Sequence, residues 1–257
     1  MKTKRQTALA AGVLALLIAL LWQLGWTGEC GDAIRRGNEQ FNQYHLGVAH
    51  FTGAVKAYEE ATASPSCAYE GYCRLADLYL NYGRSRTARN NKLKMFQDGI
   101  AAAEKAIEIN EGGKEGHYFY AINIGSVVEL DGAFRHILQV RKIFKEIHRA
   151  LEIDPNYAAA LVVKASMEYS LPGIIGGSDK KAEELFRRAL QLAPNMETAH
   201  IEYAAFLIKK KRLDEAKALL DKVQRSDFPH QWASTWVTVD QPRVQELLKQ
   251  IAAARTQ

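Results

Sequence analysis

Apolar residues recur at Ala182, Leu185, Phe186, Ala189, Leu190 and Ala193, in steps of three and four. Those steps put them on one face of a helix, with Lys181, Glu184, Arg187 and Arg188 filling the other. Ala182 and Ala189 are small enough to let a second helix approach closely. Pro194 ends the helix, because proline has no N–H to donate and clashes with the turn before it. The same layout returns along the chain. Ala54, Tyr58 and Ala61 are followed by Pro65. Met95 to Asn110 holds Gly99, Ala103 and Ala106. Ile137 to Ile153 ends on Ala150-Leu151-Glu152-Ile153-Asp154-Pro155, and Leu213 to Val223 repeats the pattern once more. Each of these second helices has a first helix before it: Asp32 to Tyr44, Ala68 to Tyr82, Lys114 to Val127, Tyr157 to Tyr169 and Met196 to Lys209. Asp240 and Pro242 predict the start of a final helix that runs to about Ala254.

The equivalent small positions are Ala61, Ala106, Ala150, Ala189 and Val223, at spacings of 45, 44, 39 and 34 residues. The longer spacings predict insertions between the two helices of a pair, at Arg84 to Lys94, Val128 to His136 and Ser170 to Asp179. No period-2 strand pattern competes. The expected body is all-α, a right-handed α-solenoid of four to five degenerate helix pairs with a C-terminal capping helix, over residues 28–257.

Residues 1–27 read differently. Gln6 to Gly28 carries no charge, and the apolar run Ala8 to Trp26 has 19 residues. As a helix it would be about 28 Å long, against a hydrocarbon core of about 30 Å. Lys2, Lys4 and Arg5 precede it and Glu29 follows. Positive residues keep their end in the cytoplasm, so an N-terminal transmembrane anchor with the body on the exported, periplasmic side is expected. Secretion after signal cleavage is the alternative, since Ala8 to Leu21 also fits an h-region. No small-x-small cleavage site follows Trp22, and Glu29 stands before Cys30 where lipoprotein processing needs a small residue.

Charge changes little. The chain carries 34 basic and 29 acidic residues, net +5, and without the three N-terminal cations the balance is +2. A nearly neutral body gives no electrostatic footprint for nucleic acid. Lys209-Lys210-Lys211-Arg212 is the one dense basic run, suited to a helix C-terminus. Of the three cysteines, Cys67 and Cys73 are the expected pair if any forms, with buried thiols as the bland alternative. His45 and His50 have no carboxylate or cysteine at ligand spacing. Gly176-Gly177-Ser178 lacks the Gly-Lys-Ser/Thr of a phosphate loop and reads as a turn with a helix cap. Glu115 and His117 accompany no nucleophile with a visible base. No catalytic residue, cofactor or metal is expected.

The stretch from Ala182 to Pro194 resembles the second half of a tetratricopeptide repeat, and the resemblance extends over roughly Asp32 to Ser226. Members of that family bind peptides or partner proteins on a concave surface lined by the first helices. Orienting those helices on Ala76, Ala121, Ala165 and Ala204 places Asp77, Asn81, Tyr118, Ile122, Ser166, Tyr169, Ile201 and Lys209 in the groove. The resemblance therefore implies a membrane-tethered scaffold for a protein or peptide partner, with Tyr118, Tyr169 and Asn81 as contacts. The segment Leu171 to Ala182 is similar to the T component of TRAP-type transporters, which implies a small organic ligand as the alternative. His117-Tyr118-Phe119-Tyr120-Ala121 with Ala150 to Pro155 is similar to the regulator-of-microtubule-dynamics family, whose members also carry an N-terminal anchor.

Overall fold

The computed structural model describes residues 30–132, 137–171, 177–225 and 227–256, and within them there is no strand. Helix α1 (30–41) pairs with α2 (Val48–Thr62), α3 (Ala68–Arg84) with α4 (Arg89–Ile109), and α5 (Lys114–Asp131) with α6 (Ile137–Ile153). Two further pairs are α7 (Ala158–Ser170) with α8 (Asp179–Leu192) and α9 (Glu197–Lys209) with α10 (Leu213–Val223). The short turn α11 (Ala233–Thr235) and a π-helical stretch, Trp236–Asp240, lead into α12 (Gln241–Arg255). First helices stack on first helices, α3 on α5 and α7 on α9, and each second helix packs against the next pair. The result is an α-solenoid of five pairs among the described residues, capped by α12 on α9 and α10.

The small positions explain how the helices come close. Ala61, Ala106, Ala150, Ala189 and Val223 are all 0% exposed, and so are Ala76, Ala121, Ala165 and Ala204 on the first helices. Each lets a neighbouring backbone approach, and larger side chains fill the space on either side. One apolar cluster, around Phe41, Tyr58 and Leu78, serves the N-terminal pairs. A second, around Phe186, Phe206, Leu220 and Leu247, serves the C-terminal pairs. Burying one such phenylalanine contributes on the order of 2–3 kcal/mol.

Three expectations are corrected. The long spacings are largely longer helices. Residues Arg89 to Lys94 form the first turns of α4, and Val128 to Asp131 extend α5. Arg89 pairs with Asp131, so the two extensions hold one another. Residues 133–136 and 172–176, from the other insertions, lie outside the described residues. The disulfide joins Cys30 to Cys67, with Cα atoms 6.1 Å apart, and not Cys67 to Cys73. Six residues along a helix separate two Cα atoms by about 9 Å and turn them to different sides, beyond the reach of a disulfide. Cys73 is a buried free thiol, its pKa pushed up to about 12 mainly by burial. Asp240 caps nothing: its backbone is helical, its side chain bonds no N–H of α12, and the helix runs straight through it.

Among the described residues no helix is long and apolar enough to cross a membrane. The apolar run Ala8 to Trp26, on which the anchor was expected, lies outside them.

Candidate partner-binding groove

Asp77 lies on α3, Tyr118 on α5 and Tyr157 at the N-terminus of α7, on successive first helices. Of the eight expected groove residues, Tyr118, Ile122, Ser166 and Tyr169 are half-buried and Lys209 is exposed. Tyr118 meets Phe119 and Tyr157 edge-on, at centroid distances of 5.2 and 5.3 Å. Tyr169 lies edge-on to Phe206 at 5.5 Å, with the Lys209 ammonium 4.5 Å from its ring centroid. Burial pushes both phenols up to about 12, so both stay neutral donors at ordinary pH.

The other three are committed within the protein. Asp77 and Asn81 are buried one turn apart on α3, and Asn81 Nδ2 donates to the Asp77 carboxylate at 2.7 Å and to its carbonyl at 3.0 Å. That bond removes Asn81 from the expected contacts. Ile201 is 2% exposed in the C-terminal cluster and faces the core instead of the groove. The remaining candidates of the sequence are also occupied. Lys210 pairs with Asp179, and Arg212 donates to both Glu183 and Glu215. Ser178 caps α8 by accepting from the Lys181 N–H at 3.3 Å. His50 is bonded to Gln40. Among the described residues no group of carboxylates, histidines or cysteines could hold a metal ion.

Sequence reasoning missed what fills the N-terminal half of the groove. Beyond α10 the chain turns back, and residues 228–238 form a strap that bridges the two ends of the solenoid. Phe228 packs on His200, and His230 pairs with Glu197 and stacks on Trp236 at 4.0 Å. These contacts hold the segment to α9. At its tip, Trp232 stacks on Phe41 of α1, centroids 4.4 Å apart and planes 10° apart. The available signal was two tryptophans, Trp232 and Trp236, in a stretch with no helical periodicity. Such large apolar groups in a linker require a surface to cover them.

A second concavity opens between α4 and α6, a cleft of about 760 Å³ with α5 as its floor. His117 and Glu146 are buried there, with His117 Nδ1 2.6 Å from Glu146 Oε2 and Nε2 2.8 Å from the Glu111 carbonyl. Tyr120 donates to Glu104 at 2.8 Å, and Arg149 forks onto Glu111. Its walls are charged, and among the described residues no serine, threonine or cysteine lines it.

The strap carries a pH dependence. Burial pushes Asp77 up to about 6, with Arg74 opposing, and pushes Asp240 up to about 7, with the Glu197 charge adding to the effect. Both carboxyls bind a proton more tightly in the folded chain than in the unfolded one. Their contribution to stability is complete below about pH 4 and is lost as pH rises through 6 and 7. His200, lowered by burial from 6.5, acts in the opposite direction only below that value. As pH rises from about 4 to about 7 these two carboxyls should lower the melting temperature, the Asp77 part being complete near pH 6 and the Asp240 part near pH 7, and Asp77→Asn with Asp240→Asn should flatten that fall. A slope in the double variant equal to that of the parent would show that these carboxyls do not carry it.

The stacked helix pairs, small inner residues and first-helix groove define a tetratricopeptide-type helical-repeat protein. The tetratricopeptide repeat profile itself matches residues 180–234. The profile described as regulator of microtubule dynamics protein 1-3 matches residues 34–172, more than half of the sequence, and the chain belongs to that family. Among solved structures it is similar to TTC0263, a thermophilic tetratricopeptide protein of Thermus thermophilus. The two are 17% identical with a TM-score of 0.59, over 89% of this chain and 100% of that one. It is also similar to yeast Tom70, at 17% identity and a TM-score of 0.50, over 85% of this chain and 40% of Tom70. No curated protein matches the sequence.

Proposed function

We propose that the chain is an exported, membrane-anchored scaffold that holds a protein or peptide partner in its concave groove. The observation that carries this reading is that Tyr118, Ile122, Ser166, Tyr169 and Lys209 keep accessible surface on consecutive first helices. They offer two neutral phenols, apolar surface and one cation, the mixture that orients an extended peptide. A small organic ligand is less well served. The cleft between α4 and α6 is walled by charges, and the turn before α8 is accounted for by its cap. The anchor reading rests on the uncharged run Ala8 to Trp26 and on the cations before it. The Cys30–Cys67 bridge suits an oxidising, exported compartment.

The test is a pull-down from the native membrane with full-length protein carrying Tyr118→Ala and Tyr169→Ala, after melting and helix content are checked. Partner recovery should fall at least about tenfold, as loss of two aromatic anchors implies. Full recovery by the folded double variant would place the binding surface elsewhere. Topology is checked separately: protease added outside an opened envelope should digest the body, and protection of the body in cells stripped of their outer layer would refute export.

A further inference from the structure

The tip of the strap sits in its site as a bound peptide would. The indole of Trp232 stacks on the Phe41 ring, and the Arg74 guanidinium is 5.9 Å from its centroid. Its N–H donates to Asp77 Oδ2 at 3.3 Å. The next residue, Ala233, donates its main-chain N–H to Asn42 Oδ1 at 2.9 Å. Ser234, fully buried, lies with its Oγ 2.8 Å from His45 Nδ1. The receptor thus reads an aromatic ring, a main-chain amide and a hydroxyl in succession. The partners in the last of these contacts lie 189 residues apart in sequence. The contacts belong to no repeat pair, so the solenoid does not require them in order to stack.

The strap is also built to lift. It is anchored at one end through Phe228 on His200. At the other, α12 buries Val244, Leu247 and Ile251 in the C-terminal cluster. Releasing the tip leaves both anchors in place and uncovers the inner face of α1 and α3.

We propose that the pocket formed by Phe41, Asn42, His45, Arg74 and Asp77 is a docking site for a protein partner that presents an indole followed by a small residue and a hydroxyl residue, and that Trp232–Ser234 occupies it as a competing internal ligand. This inference rests on the reading of the concave face as a partner surface and names the partner's chemistry. A tethered ligand competes at an effective concentration set by its short link, so an incoming segment binds more weakly than the site alone would allow. Docking of the partner frees the tip and joins the N-terminal pocket to the groove at Tyr118 and Tyr169.

The probe is a labelled peptide with the sequence of residues 229–238, titrated by fluorescence anisotropy into the full-length chain. Trp232→Ala should bind it at least about tenfold more tightly than the parent chain does, because the internal competitor is gone. Adding Asn42→Ala should reverse much of that gain, and a peptide with alanine in place of its first tryptophan should not bind. Should Trp232→Ala fail to fold, the parent chain provides the second measurement. Excess peptide should accelerate amide hydrogen exchange at residues 232–235 without changing exchange in α12. Equal affinity of parent and variant, or unchanged exchange under saturating peptide, would overturn the proposal. A concentration-dependent dimer of Trp232→Ala would overturn it as well, by assigning the pocket to a second copy. Partner loss on Tyr118→Ala with Tyr169→Ala, together with failure here, would leave the scaffold reading standing and remove this one.

Discussion

Ala189→Glu is expected to destabilise the protein by about 4 kcal/mol or more, the range reached when a charge is buried without a partner. Ala189 is 0% exposed on α8 and packs inside the C-terminal cluster, with Leu220 and Phe186. A glutamate there must either lose its hydration or push α8 away from its neighbours, and both routes sacrifice burial of Phe186. For a chain of this size the loss corresponds to a fall of about 10 °C or more in melting temperature. Repeat arrays lean on nearest neighbours, so the damage should be local first. Hydrogen exchange should rise most in α7 to α10, and less in α2 to α4. Ala189→Gly is the control: it removes no packing partner of comparable size and should cost about 1 kcal/mol. A melting curve for Ala189→Glu that overlays the parent's would show that α8 does not present this face to the core.

The repeat spacing made that face legible. Once Ala61, Ala106, Ala150, Ala189 and Val223 are aligned, one periodicity rule orients every second helix, and all five prove fully buried. The start and end of α10 follow from the same pattern, at Leu213 and Val223. Helix length was less legible. Arg89 to Lys94 has little apolar content, yet it is helical because α5 runs alongside and offers Asp131 to Arg89. The groove was legible only in part. The small residues orient the first helices, and Tyr118 and Tyr169, which that orientation puts toward the groove, keep part of their surface exposed. The small residues do not reveal what else reaches the groove. Asp77 and Asn81 were expected to face a partner and instead face each other and Trp232. The strap is invisible to local pattern because its contacts join α1 to residues beyond the last repeat. Ile201 erred by a small rotation, since a residue at the edge of the packing stripe on α9 is drawn inward into the cluster that holds Tyr203 and Phe206.

Replacing His117 by alanine should cost about 3–5 kcal/mol, the penalty for leaving one member of a buried pair behind. Both ring nitrogens of His117 face acceptors, Glu146 Oε2 at 2.6 Å and the Glu111 carbonyl at 2.8 Å, so the ring ties α5 to α6 and to the turn after α4. His117 is 4% and Glu146 8% exposed, so neither partner has water available as a substitute. The reverse change, Glu146→Leu, should cost less. The ring keeps its contact with the Glu111 carbonyl through Nε2, and leucine fills the volume the carboxylate leaves. Removing both together, as His117→Leu with Glu146→Leu, fills the space with apolar volume and should recover part of the single-variant loss. The expected coupling in a double-mutant cycle is about 1–3 kcal/mol, as found for residues in direct contact. Urea unfolding with an unchanged slope is the measurement, because a changed slope would mean that the two-state comparison no longer holds. Additive losses would show that the pair is not a unit. A coupled pair would identify the floor of the cleft as a structural tie within repeat three, between α5 and α6. Its polar groups are then committed to holding α5 to α6 and to the turn after α4.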